Sequence, residues 1–183
     1  TRTISGGSVA NSIVSIAQQN LKTAFIGKVN QDELGEKFSQ GLKKEKVEFK
    51  ITKSSTNKYT ARCVILVSTD AERTMNTYLG ISQELTEEDI DLGIISNSSI
   101  LYLEGYLWDL DNAKKAIKKS ISVAKNSETI VAFSISDAFC VDRFREEFID
   151  LINNSADLIF ANEAEIKSLY ETSELDIAIK KCQ

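Results

Sequence analysis

The chain has 183 residues, 42% of them hydrophobic, enough for one substantial core and about one domain. A formal net charge of −5 argues against the basic face of a nucleic-acid binder, and any anionic ligand must be held by local groups. With no histidine there is no Ser-His-Asp triad, no histidine base and no histidine metal ligand, which leaves carboxylates, Lys, Arg and backbone dipoles.

No apolar run approaches the roughly 20 residues that cross a bilayer, and no charged-then-apolar leader stands at the start, so a cytoplasmic protein without membrane contact is expected. Cys63, Cys140 and Cys182 are odd in number and widely spaced; they read as reduced thiols, two of them in the core. The chain opens on Thr1 and stops at Lys181-Cys182-Gln183 inside a helical pattern, and both ends read as cut.

Gly6-Gly7-Ser8-Val9-Ala10-Asn11 comes first in chain order. Two adjacent glycines allow backbone conformations closed to other residues and leave room for a ligand; the following helix start offers free N–H groups, and the Asn11 amide both donates and accepts. The structural alternative is a tight turn with Ser8 as an ordinary N-cap.

Residues 8–19 carry Val9, Ile13, Ile16 and Ala17 at helical spacing, and Asn20 suits a left-handed helix end. Thr23 to Gly27 reads as a short buried strand. Residues 32–44 form an amphipathic helix with Leu34, Phe38 and Leu42 inward, Asp32 as cap and Gly35 packed closely. A strand is expected near 47–51. Cys63–Val67 and Thr74–Tyr78 then flank a turn at Thr69-Asp70-Ala71-Glu72, which makes a hairpin inside an alternating pattern.

From residue 86 a βα rhythm follows. Thr86-Glu87-Glu88-Asp89 resembles a helix start, Ile100–Leu103 a strand, residues 111–125 a helix, Ile130–Phe133 a strand, residues 142–153 a helix, Leu158–Ala161 a strand and Glu163–Tyr170 a helix. Such apolar strands imply a mostly parallel α/β sheet flanked by helices, which binds ligands at its carboxyl ends. There stand Glu104-Gly105-Tyr106, Ser134 to Asp137, and Asn162 to Glu165. Asn162 and Glu165 are either a helix cap or, at i and i+3, an oxygen set facing a magnesium–phosphate complex through water. Ser136 and Asp137 either cap the helix near Asp142 or face the cleft.

These blocks together resemble the ribokinase-like PfkB carbohydrate kinases, in the branch that includes adenosine kinases. The likeness runs through Gly6–Asn11, Phe25–Gly35, Asp70–Gly80, Leu103–Trp108, Ser136–Arg143 and Phe160–Glu165, and covers nearly all of the chain. It implies a Rossmann-type ribokinase fold with a small β lid, whose strands fall within 47–80, and an ATP-dependent transfer of a phosphoryl group to a hydroxymethyl group of a sugar or ribonucleoside. By the motif matches, Gly6, Gly7 and Asn11 line the acceptor site, while Asn162 and Glu165 serve ATP, Mg2+ and phosphate positioning. Arg73 offers charge to phosphate from the lid or else makes a solvent ion pair. Lid sheets of this family pair between subunits, which implies a homodimer; a histidine-free site suits phosphoryl transfer.

Two departures qualify the likeness. Val9 stands where many sugar kinases of the family have Gly, which weakens a ribokinase assignment and is compatible with the adenosine-kinase-like branch. The Asp-Thr-X-Gly-Ala-Gly-Asp type segment that carries the catalytic aspartate matches nothing here, since no glycine follows Gly105, and it is expected after Gln183. Residues 1–183 are therefore expected to be a partial kinase domain, inactive alone. A Rossmann oxidoreductase needs a third glycine that Gly6-Gly7 lacks. A non-catalytic nucleoside- or nucleotide-binding homologue stays open.

Overall fold

The computed structural model describes residues 3–49 and 56–182. It divides into two units, Thr1–Asp89 and Ile90–Gln183.

The first unit begins with helix α1 (Ser8–Ala17), strand β1 (Ala24–Phe25), helix α2 (Glu33–Lys44) and strand β2 (Glu48–Phe49). β1 and β2 pair in parallel, with Ala24 opposite Glu48. Residues 50 and 51 of the strand expected near 47–51 lie outside the described residues. Phe25, Phe38 and Phe49 pack edge to face with ring centroids 5.5 to 5.7 Å apart. Such pairs add roughly 0.5–1.5 kcal/mol each beyond the area they bury.

α2 starts as its sequence predicts. Asp32 Oδ1 accepts the Gly35 N–H at 2.8 Å, Glu33 and Glu36 sit in the first turn, and Lys43 and Lys44 sit in the last. A Cβ on Gly35 would lie 1.9 Å from the Asn30 carbonyl oxygen, so no side chain fits there. Asn20 adopts the expected left-handed conformation, with φ of 64°.

Strands β3 (Arg62–Val67) and β4 (Arg73–Tyr78) form the hairpin, from Arg62 opposite Tyr78 to Val67 opposite Arg73. The Ser68 N–H donates to the Glu72 carbonyl at 3.0 Å, and Ala71 takes a left-handed φ of 67°. Every strand residue of the hairpin is exposed, including Val64, Ile65, Leu66 and Met75. The helix start expected at Thr86–Asp89 is instead a 3-10 turn, Glu87–Asp89. Asp89 Oδ2 takes the Thr86 N–H and closes that turn, while Asp91 caps the next helix.

The second unit holds helix α3 (Leu92–Ser96), strand β5 (Ile100–Glu104), helix α4 (Asp111–Asn126), strand β6 (Ile130–Ser134), helix α5 (Ala138–Asn154), strand β7 (Leu158–Phe160), and helices α6 (Glu163–Leu169) and α7 (Leu175–Cys182). The sheet order is β5-β6-β7, all parallel, with Leu103 opposite Phe133 and Phe133 opposite Ile159. In the central strand Val131, Ala132 and Phe133 are buried, as a parallel sheet covered on both faces requires. Phe133, Phe148 and Trp108 form its aromatic core, and the Trp108 indole N–H donates to Glu147 at 2.8 Å.

α5 begins at Ala138, not near Asp142, because Asp137 Oδ1 accepts the Cys140 N–H at 2.7 Å and starts the helix early. Phe144 (φ −127°, ψ 23°) kinks it, inside the expected segment 142–153. Of the cysteines only Cys140 is buried; Cys182 is half-buried and Cys63 lies exposed on the hairpin, so the expectation of two core thiols is corrected. Cys63 is exposed because every residue of β3 and β4 is. No helix among the described residues is long and apolar enough to cross a membrane.

Candidate functional site

Gly7, not Ser8, is the N-cap of α1, with φ of 110° and ψ of 138° and no side-chain cap. That φ is open to glycine and strained for other residues, and it places Ser8 as the first helical residue. A Cβ on Gly6 would meet nothing within 4 Å, so the chain passes open space immediately before the helix. The Asn11 N–H donates to the Gly7 carbonyl at 2.9 Å, which sets Asn11 one turn into α1. Its exposed carboxamide makes no hydrogen bond among the described residues. Gly6, Gly7 and Asn11 therefore combine bendable backbone, free volume and an unengaged amide at one helix start.

Arg73 opens β4 next to the hairpin turn, exposed, with no ion pair among the described residues. The roots of that hairpin are densely bonded. Asp32, besides capping α2, accepts the Thr60 N–H with Oδ2 at 2.8 Å, and the buried Thr60 hydroxyl accepts the Asn30 N–H at 2.9 Å. Burial raises the Asp32 carboxyl, but the donors from Thr60 and Gly35 outweigh it and hold the group below its usual range.

In the second unit the strand ends present Glu104, then Ser134 to Asp137, then Asn162 to Glu165. The Tyr106 hydroxyl donates to the Ser136 carbonyl at 3.2 Å across the first two of these, and Ser136 itself holds a left-handed φ of 75°. Burial and, after it, the neighbouring Asp137 carboxylate push the Tyr106 phenol up to about 12, so it stays a donor at neutral pH. Asp137 is the cap of α5, the structural one of the two roles its sequence position allowed.

Asn162 and Glu165 form a reciprocal capping box at the start of α6. Asn162 Oδ1 accepts the Glu165 N–H, while the buried Glu165 carboxylate accepts the Asn162 N–H through Oε2 and the Asn162 amide through Oε1. Each carboxylate oxygen keeps a free lone pair. Among the described residues no group of three or more His, Cys, Asp or Glu side chains is placed to hold a metal. This donor set fits a water-mediated contact to a hard cation such as Mg2+, which keeps several of its waters, and does not fit a direct cage.

Gly6, Gly7, Asn11 and Arg73 thus belong to the first unit, Asn162 and Glu165 to the second. The sequence passes over Thr60 and marks Tyr106 only by its place at a strand end, while their bonds join residues 28 and 30 positions apart. It also passes over Phe139, which stands 80% exposed in the first turn of α5.

Residues 1–183 match the model of the pfkB family carbohydrate kinases, and the chain belongs to that family. Its α/β ribokinase-like fold is that of solved neighbours. It is 39% identical to adenosine kinase from Sinorhizobium meliloti, with a TM-score of 0.88 over 95% of this chain and 54% of that one. It is 38% identical to a probable sugar kinase from Rhizobium etli, with a TM-score of 0.90 over 96% of this chain and 54% of that one. The 5-dehydro-2-deoxygluconokinase of Clostridium perfringens is 26% identical over 166 residues, 87% of this chain and 49% of that protein. The chain thus spans about half the length of these relatives.

Proposed function

We propose that the protein carrying this chain is an ATP-dependent phosphotransferase that moves the γ-phosphoryl group to a hydroxymethyl group of a sugar or ribonucleoside, and that these residues form its acceptor site. The observation that carries the reading is the α1 start: left-handed Gly7, open space at Gly6, and an exposed Asn11 carboxamide without a partner among the described residues. Gly6 and Gly7 hinge around the acceptor and Asn11 bonds its hydroxyls. Asn162 and Glu165 orient the phosphates of ATP through water and Mg2+, and Arg73 adds positive charge from the hairpin, which acts as a lid. The general base lies outside the residues named here.

Incubation of the intact protein with ATP, Mg2+ and adenosine, ribose or 5-dehydro-2-deoxygluconate tests this by ADP release. Turnover with one acceptor supports the enzyme; saturable nucleoside binding without ADP release supports a non-catalytic homologue. The isolated 183-residue chain is expected to release no ADP.

A second proposal concerns assembly. β3 and β4 make a two-stranded sheet with both outer edges unpaired among the described residues and Val64, Ile65, Leu66, Val67 and Met75 exposed. An isolated two-stranded ribbon is marginal in water, and exposed apolar edges template pairing, so the hairpin associates with that of a second copy. Sedimentation equilibrium of the intact protein and its Ile65→Lys variant tests this. A dimer that the variant converts to monomer supports it, and a wild-type monomer at micromolar concentration overturns it.

A further inference from the structure

The hairpin has no packed face with which to set its own direction. All residues of β3 and β4 are exposed, so its pose depends on the two chain segments at its base. Both segments are gripped by one short loop, residues 28–32, between β1 and α2. On the outgoing side, Asn30 Nδ2 donates to the Lys58 carbonyl at 2.7 Å, the Asn30 N–H donates to the Thr60 hydroxyl at 2.9 Å, and Asp32 Oδ2 accepts the Thr60 N–H at 2.8 Å. On the return side, Lys28 Nζ donates to the Glu84 carbonyl at 3.0 Å. The roots are joined to each other by the Ile81 N–H donating to the Tyr59 carbonyl at 3.0 Å and by Lys58 Nζ with Glu84 Oε1 at 2.9 Å. Gly80 turns beneath this knot with φ of 53°, where a Cβ would lie 2.2 Å from the Tyr59 carbonyl oxygen.

Within this grip Asp32 has a double duty. One carboxylate oxygen caps α2 through Gly35, and the other holds the first residue of the hairpin root, Thr60. We propose that Asp32 is a positioning residue that latches the β3–β4 hairpin to the N-terminus of α2 and so sets the pose in which the hairpin covers the acceptor. Its kinetic consequence rests on the kinase reading of this protein; the latch itself does not.

The two duties separate by substitution. Serine is a strong N-cap, so Asp32→Ser keeps the bond to Gly35 but is too short and has one oxygen too few to hold Thr60. Asp32→Asn is isosteric and also an efficient cap, but its single carbonyl oxygen serves one N–H at a time; it carries the test if the serine variant does not accumulate.

The experiment compares amide hydrogen exchange, thermal melting and steady-state kinetics of the intact wild-type protein and these variants. The expected result is exchange at least about tenfold faster at Thr60 and through β3 and β4, with the exchange of α2 unchanged. The acceptor KM rises about tenfold while the ATP KM holds, because a hinge contact far from the chemistry acts through closure. Unchanged exchange in β3 and β4 overturns the latch. Faster exchange spread equally over α2, with both KM values rising together, also overturns it and reduces Asp32 to a helix cap. If the wild-type protein turns over no acceptor, the kinase reading fails and the exchange comparison alone decides the latch.

Discussion

The Lys28 ammonium reaches Asp89 Oδ2 at 2.8 Å, and the pair is almost sealed from water, with side chains 11% and 2% exposed. It joins the loop after β1 to the 3-10 turn that ends the first unit. Burial pushes the Asp89 carboxyl up, but the Lys28 ammonium and the Thr86 donors outweigh it and hold the group below its ordinary value. Lys28→Ala strands a buried carboxylate and is expected to cost about 3–5 kcal/mol in urea unfolding at pH 7. A depressed folded pKa means that the stabilisation is present above the unfolded carboxylate range and is lost as pH falls through the folded value. The deficit of the variant should therefore shrink as pH falls through the carboxylate range, because a protonated Asp89 no longer needs a charged partner.

The two glycines before α1 should differ in their response to alanine. Gly7 sits at φ of 110°, so Gly7→Ala is expected to destabilise by about 1–3 kcal/mol through backbone strain. A methyl at Gly6 meets nothing within 4 Å, so Gly6→Ala should stay within about 0.5 kcal/mol of wild type. If that space belongs to the acceptor, Gly6→Ala nevertheless raises the acceptor KM. Chemical denaturation and steady-state kinetics on the same two variants separate the effects.

Replacing Asn162 by alanine removes a cap and is expected to cost about 1 kcal/mol. Glu165→Gln retains an acceptor for the Asn162 N–H but sets its amide NH2 against the Asn162 amide NH2, and is expected to cost a comparable amount. If Glu165 faces the cation through water as proposed, the variant raises the Mg2+ concentration for half-maximal rate about tenfold. Parallel melting curves and Mg2+ titrations check both statements; a Mg2+ requirement unmoved in Glu165→Gln leaves the pair as a helix cap only.

The thiols should label in order of access. Cys63 is exposed on the hairpin, whereas Cys140 is buried and its thiol is pushed up to about 11, chiefly by burial. Iodoacetamide at pH 8 is expected to modify Cys63 in the native protein and to spare Cys140 until denaturant is added, with peptide mass spectrometry as readout.

The elements of this fold were largely legible because each has a local cause: the Asp32 cap, left-handed Asn20, the turn at Thr69–Glu72 between β3 and β4, and the apolar run of β6. Boundaries slipped at the caps: Asp91 rather than Thr86 starts α3, Asp137 caps a helix that begins at Ala138 rather than near Asp142, and Gly7 takes the cap position that Ser8 also suits. The Asn162–Glu165 spacing was readable, yet whether it was a cap or an oxygen set was not, because the same i, i+3 geometry serves both. The bonds from Asp32 to Thr60 and from Lys28 to Asp89 span 28 and 61 residues, and no local pattern encodes which distant partner a polar group meets.

The most direct test of the phosphotransferase reading is the product itself. Phosphorus NMR of a reaction containing the intact protein, ATP, Mg2+ and the acceptor that supports ADP release should show a new phosphomonoester resonance split by two methylene protons, the signature of phosphate on a hydroxymethyl group. ADP and inorganic phosphate as the only new species, or an ester on a secondary hydroxyl, would contradict it.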